Sequence, residues 1–202
     1  EFGISLKVVN DLFDGIQSDI KQTVKLNSKK ELLIYSYRVA GTVGLMMAKI
    51  LKVNKKSSLK SAIDLGIAMQ LTNISRDVVE DFNNGRSYIN ENFDDIKSTL
   101  QLAEKFYDSS FYSINEIPIS FRFSILVARR VYRKIGYKII NKKNIENYKA
   151  SGKIFVSNSE KIIETFFAIF DLIKLLLVNK NDDNIEHDHF LISEELNLNE
   201  RI

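Results

Sequence analysis

The chain has no cysteine, one proline and 8 glycines among 202 residues. Without cysteine there are no disulfides, no thiolate nucleophile and no cysteine-ligated zinc or iron–sulfur centre. With Pro118 the single proline and glycine so sparse, the breakers that punctuate β-rich folds are missing. No apolar run reaches the roughly 18–20 residues that span a bilayer. The longest, Val39–Leu51 and Thr165–Val178, are interrupted by Lys49 and by Asp171 and Lys174, and both read as core helices, with a membrane-surface contact as the lesser alternative. The formal net charge of +3 is mild and the basic residues are scattered, so a nucleic-acid partner is not expected. No signal-peptide pattern opens the chain, which starts at Glu1 rather than Met; the expectation is a fragment of a cytoplasmic protein.

What is present is helical. A chain of 202 residues with 45% hydrophobic and 27% charged residues suits one globular domain. The apolar period predicts helices at about 6–25, 29–52, 58–84, 96–114, 119–143 and 158–178, hence an all-α fold. Ser28 and Ser57 are candidate N-caps, and Pro118 falls near the first turn of the helix that carries Ile125 to Ile139. Residues 179–202 lose the period, become rich in Asn, Asp and Glu, and read as a polar, loosely docked tail. His187 and His189 lie there beside Asp188, but two histidines at i, i+2 do not share a helical face and make a poor metal site.

The densest chemistry is in QLTNISRDVVEDFNNGR, residues 70–86. Gln70, Asn73, Asp77 and Asp81 fall in one stripe of a helix, beside an apolar stripe of Ile67, Leu71, Ile74, Val78 and Phe82. Carboxylates at i, i+4 repel by a few tenths of a kcal/mol, so a helix shaped for stability alone would put a cation at one of them. Either a hard cation such as Mg²⁺ sits between Asp77 and Asp81, or the pair is a solvated face balanced by Arg76 and lysines elsewhere.

Two further groups stand out. Ala40, Gly41 and Gly44 interrupt a continuous helical pattern beside Val39, Val43, Leu45 and Met46. Each glycine costs a helix interior about 1 kcal/mol, which implies close approach of a second helix or of a ligand such as a long hydrocarbon. Arg129, Arg130, Tyr132, Arg133 and Lys134 cluster on one helix, followed by Lys149, Lys153 and Lys161; these cations suit a diphosphate or a solvated face.

Taken together, YSYRVAGTVGLM (35–46), GIAMQLTNISRDVVEDFNNGRSYI (66–89), VARRVYRKIGYKI (127–139) and Lys161 resemble the squalene/phytoene synthase family, in its phytoene synthase branch, from about residue 5 to 165. The resemblance implies an isoprenoid-synthase bundle of helices around an apolar cavity and a Mg²⁺-dependent prenyltransferase, with Mn²⁺ an alternative metal. Two geranylgeranyl diphosphates would join head to head through a cyclopropylcarbinyl diphosphate to give phytoene, an intermediate of carotenoid biosynthesis. The same chemistry on farnesyl diphosphate and a non-catalytic helical relative acting in assembly are the alternatives. NADPH is not expected, because no GxGxxG or other nucleotide signature is present.

By the same resemblance Asn73, Asp77 and Asp81 would hold the metal, Gln70 would line the reaction chamber, and Arg76, Tyr35 and Lys161 would contact diphosphate oxygens. Val39, Ala40, Val43 and Gly44 would shape the channel for the prenyl chain, and Tyr132 would lie at its diphosphate end. Lys153 stands where the family often has Arg. The family carries a first aspartate-rich motif roughly a hundred residues upstream; nothing before Asp77 has that form, since Asp11, Asp14 and Asp19 are irregularly spaced. Residues 1–178 therefore read as a partial synthase domain, inactive alone, and the connection after Ile89 as shortened. A peripheral membrane contact for product release is compatible, and the oligomeric state stays open.

Overall fold

The computed structural model describes residues 2–177 and 188–202. The all-α expectation holds. Helix α1 (Leu6–Ser18) is capped by the Ser5 hydroxyl, which accepts from the N–H of Lys7. It stops seven residues before the sequence period suggests: the chain turns at Asp19, and Val24–Lys25 form a two-residue strand, β1, parallel to β2 (Arg86–Ser87). Gly85, with φ of +74°, makes the turn into β2; a Cβ there would sit 2.8 Å from the carbonyl oxygen of Gln22.

The predicted helix at 29–52 is one rod in three parts, α2 (Lys29–Ser36), a π-helical turn (Tyr37–Gly41) and α3 (Thr42–Ile50). Ser28 caps it as expected, accepting from the N–H of Glu31 at 3.1 Å, and Glu31 reaches back to the N–H of Asn27 at 2.7 Å. The widened turn falls on YRVAG, inside the tyrosine signature. Such bulges are frequent at functional sites.

Helix α4 (Lys56–Asn83) is the axis of the molecule and packs against α3, α5 (Phe93–Ser110) and α6 (Ile119–Ile140). Its N-cap is Lys55 without a side-chain bond, so Ser57 lies inside the first turn rather than capping it. Ile67, Leu71, Ile74 and Val78 are buried as their spacing requires, whereas Phe82, in the last turn, is 55% exposed. Asn92 caps α5 through the N–H of Asp95, which starts that helix a turn early. A 3₁₀ turn (Tyr112–Glu116) leads to Pro118, the N-cap of α6. Asn144 caps a short helix, α7 (Ile145–Ala150), that the sequence reading misses because six residues carry no period.

Helix α8 (Asn158–Leu177) packs on α6 through Ala168 and Leu175, but Phe166, Phe170 and Ile173 are exposed, so this segment is a core helix on one face only. No helix among the described residues is long and apolar enough to cross a membrane. Helix α9 (Asp188–Glu195) and the residues after it revise the expected tail. Ile192, Leu196 and Leu198 join the main core, and Arg201 grips Asp11, which also accepts the Tyr37 hydroxyl at 2.9 Å. His187 lies outside the described residues; His189 is buried and pairs with Asp64, itself bonded by Ser109 at 2.8 Å, which is a packing role.

Candidate active site

Two features of α4 build the site: its small residues bring α3 close, and Gln70 and Asn73 of its polar stripe face the space left beside them. A Cβ on Gly44 would lie 2.1 Å from the Ala62 carbonyl oxygen, and one on Gly66 would lie 2.3 Å from that of Ala40. The backbones touch, so these two glycines are there for helix packing, whereas a Cβ on Gly41 would meet the Ile63 side chain at 3.0 Å. The same crossing walls a cavity of about 380 Å³. Its lining includes Val39, Ala40, Val43 and Gly44 from the signature rod, Leu65, Met69, Gln70 and Asn73 from α4, and Ile125 and Tyr132 from α6. Packing and ligand shaping, the two readings of the small-residue stretch, thus coexist, and the volume lies in the range of small-molecule sites.

Gln70 and Asn73 are polar groups in this apolar wall. The Asn73 amide nitrogen donates weakly to Gln70 Oε1 at 3.5 Å, while Asn73 Oδ1 is buried with no donor among the described residues. An unpaired buried amide oxygen is costly, and it is a ready acceptor position for a cation. One and two turns further on stand Asp77 and Asp81. Arg76 holds Asp77 with two bonds of 2.9 and 2.5 Å, and Lys153 lies 3.6 Å away. Burial pushes the Asp81 carboxyl up to about 6, reinforced by the Asp77 charge and opposed by Arg86. The donors are all hard oxygens, as Mg²⁺ prefers, and it needs few of them from protein when water and phosphate complete its shell. Among the described residues no group of three or more acidic or histidine side chains forms a complete cage. The set fits Mg²⁺ as a partial one.

A second cavity, of about 440 Å³, adjoins Asp77 and is lined by Arg76, Glu80, Tyr148, Lys149 and Lys153. The Tyr148 hydroxyl bonds the carbonyls of Ser75 and Arg76 at 3.0 and 2.7 Å, fixing α7 against this turn of α4. Lys161 is exposed at the start of α8 and lines neither cavity. The clustered arginines of α6 are engaged by carboxylates of neighbouring helices. Arg130 bonds Asp171 and Glu164, Arg133 pairs with Glu104, Lys138 with Glu160, and buried Arg129 donates to the Tyr107 carbonyl at 2.9 Å. These ion pairs join α5, α6 and α8.

Tyr35 is buried, and its hydroxyl bonds Asp19 at 2.9 Å beside the hydroxyl of Tyr88 at 3.1 Å. Asp19, Arg86 and Tyr88 are parts of this network that the sequence reading does not single out. Their nearest clue is GRSY following the aspartates, and Asp19 has none.

The squalene/phytoene synthase profile matches residues 1–93. A 15-cis-phytoene synthase of Enterobacter agglomerans is 36% identical over 151 residues, covering 64% of this chain and 51% of the relative. The chain belongs to the squalene/phytoene synthase family. Family members elsewhere agree: phytoene synthase 1 of Solanum lycopersicum is 31% identical over 189 residues, 80% of this chain and 45% of its own length. Among solved structures, a dehydrosqualene synthase with a bound ligand superposes with a TM-score of 0.67 at 26% identity, over 85% of this chain and 66% of that one. A squalene synthase from Alicyclobacillus acidocaldarius gives 0.60 at 16% identity, over 73% and 62%, a likeness of fold. The fold is that of the isoprenoid synthases, and the chain spans about half the length of the curated relatives it matches.

Proposed function

We propose that this chain is part of a phytoene synthase, a Mg²⁺-dependent prenyltransferase that joins two geranylgeranyl diphosphates head to head through a cyclopropylcarbinyl diphosphate. The observation that carries the reading is an apolar cavity whose wall holds Asn73, its Oδ1 unpaired, with Asp77 and Asp81 one and two turns further along the same helical stripe. The similarity to curated phytoene synthases supports phytoene as the product.

Asn73, Asp77 and Asp81 would hold the metal. When bound, Mg²⁺ neutralises the charge that builds on a departing diphosphate. Arg76 offers guanidinium donors to the same oxygens, at the cost of loosening its grip on Asp77. Val39, Ala40, Val43 and Gly44 bound a dry channel for the prenyl chain and keep water from an allylic cation. Gln70 and Tyr132 mark the polar end, where Tyr132 lies within electrostatic reach of Arg76. Lys161, away from both cavities, has no part in this scheme. The chain supplies one aspartate pair, so the 202 residues by themselves are expected to be inactive, and a cytoplasmic enzyme working at a membrane surface fits an apolar product.

A second reading has its own support: the dehydrosqualene synthase superposition favours farnesyl diphosphate as the donor and acceptor. One assay separates them. The full-length protein that carries this chain is given labelled geranylgeranyl or farnesyl diphosphate, with Mg²⁺ or with chelator. Phytoene from the C20 substrate, abolished by chelator and independent of NADPH, is the expected result. A C30 product from farnesyl diphosphate alone would transfer the assignment to the second reading, and no condensation product from either would end both.

A further inference from the structure

Asp19 caps the end of α1 and is bound on three sides. Its Oδ2 accepts from the Tyr35 hydroxyl at 2.9 Å, its Oδ1 from the Tyr88 hydroxyl at 2.7 Å, and its backbone carbonyl from Arg86 at 3.4 Å. The two rings stack at 4.6 Å with 21° between their planes. They come from opposite ends of the signature region, Tyr35 from α2 and Tyr88 from the residue after β2. The β1–β2 pairing, with Leu26 donating to the Ser87 carbonyl at 3.0 Å, brings the segment after Asp19 alongside the segment that ends in Tyr88.

A carboxylate accepts and never donates, and a phenol has one proton. Tyr88 therefore gives its proton to Asp19, and the single proton of Tyr35 lies between Asp19 and the Tyr88 oxygen, 3.1 Å away; both protons stay inside the triad, and the Tyr35 oxygen keeps its lone pairs for whatever approaches from the other side. We infer that Asp19 is a positioning residue that takes the proton of Tyr88 and holds that of Tyr35 inward, so that Tyr35 meets a bound ligand as an acceptor and not as a donor. The inference rests on the site being one for prenyl diphosphates. Burial holds both phenols well above their ordinary range, which keeps them protonated in this arrangement. It revises the role that the resemblance gives Tyr35. Diphosphate oxygens accept as well, so Tyr35 in this state matches an electron-poor centre or a donor, and the anion is left to Arg76 and the metal-binding stripe.

Asp19→Asn makes the distinction, because an amide accepts at one end and donates at the other, turning one phenol proton outward with little change of volume. In the full-length protein with geranylgeranyl diphosphate, Asp19→Asn should lower kcat by roughly 10–100-fold, the scale of supporting residues, while KM stays within about twofold. Added to Tyr35→Phe it should cost nothing more, and Asp19→Glu should recover part of the loss. The near-UV circular dichroism of the stacked tyrosines should fall in Asp19→Asn as it does in Tyr88→Phe, with the far-UV spectrum unchanged. A kcat within about twofold of wild type, a loss confined to KM, or a full additional loss on top of Tyr35→Phe would overturn the inference. If Asp19→Asn fails to fold, Tyr88→Phe must itself lower both kcat and the near-UV signal, or the inference falls. Should wild type turn over no prenyl diphosphate, the proposed function fails; the near-UV comparison then decides the Asp19 arrangement alone, an unchanged signal in Asp19→Asn refuting it.

Discussion

Gly66→Ala is the sharpest test of how the cavity is built. An alanine Cβ at position 66 would lie 2.3 Å from the Ala40 carbonyl oxygen, 2.7 Å from its carbonyl carbon and 2.9 Å from the Gly41 Cα. All three are backbone atoms, so no rotamer change relieves the clash. The two rods must separate by about 0.7 Å merely to bring the oxygen to 3.0 Å. In an exposed helix the same change stabilises by about 1 kcal/mol. Overpacking a dense core costs about 1–3 kcal/mol, and more where backbone must move. With the upper value appropriate here, the net loss is about 2 kcal/mol, a fall of about 1 M in the urea midpoint at a slope of about 2 kcal/mol per M. Gly136→Ala is the control, since its Cβ would meet a Leu100 methyl at 3.3 Å and little else. That change should be neutral or stabilising. Equal midpoints for Gly66→Ala and wild type would refute the account of the crossing, and with it the claim that glycine spacing sets the cavity wall formed by Val39, Ala40 and Val43.

Asp77→Asn or Asp81→Asn should lower Mg²⁺-dependent turnover of the full-length protein by roughly 10²–10³-fold or more with an unchanged far-UV spectrum; wild-type rates in either would remove the metal assignment. Arg130→Ala should destabilise by about 1–3 kcal/mol, because it strands Asp171 and leaves Glu164 with Lys134 alone between α6 and α8, yet leave KM for the prenyl diphosphate unchanged; a rise in KM with stability intact would place this arginine in the substrate site. Glu160 is held below its usual 4.5, at about 2, chiefly by Lys138 and also by the N–H of Ser157. Because its folded pKa is depressed, its contribution is complete above pH 4.5 and is lost as pH falls toward about 2. Denaturation midpoints measured between pH 5 and 2 should therefore converge for wild type and Glu160→Gln, and parallel curves would contradict the pairing.

The parts of this protein legible in its sequence are those in which one helix carries the whole message. The buried run Ile67, Leu71, Ile74, Val78 follows from the period of α4 alone, and the structure reproduces it; of the stripe beside it, Gln70 and Asn73 line the apolar cavity, and Asp77 and Asp81 follow, half-buried, one and two turns on. Phe82 fails because periodicity continues past the point where other elements cover the helix. The cations of α6 are ambiguous in sequence for the same reason in reverse: their partners Glu104, Glu160, Glu164 and Asp171 sit on other helices, and composition gives no hint of pairing across them. Residues 188–202 look polar when counted, yet Ile192, Leu196 and Leu198 are enough to seat them in the core. Burial there depends on three positions rather than on mean hydropathy.

Asp19 shows where reading by period stops. It closes a helix, matches no spacing with another acid, and acquires meaning only when a two-residue parallel strand pair brings Tyr88 beside Tyr35. Its sequence separations from those tyrosines are 16 and 69 residues, beyond any helical or hairpin rule. A local motif therefore identifies the groups that meet the ligand, whereas the groups that set their proton directions are found through tertiary contacts. In this fold the second kind controls which hydrogen-bonding face Tyr35 presents, and substitutions at Asp19 should alter the chemistry of a signature residue without touching the signature.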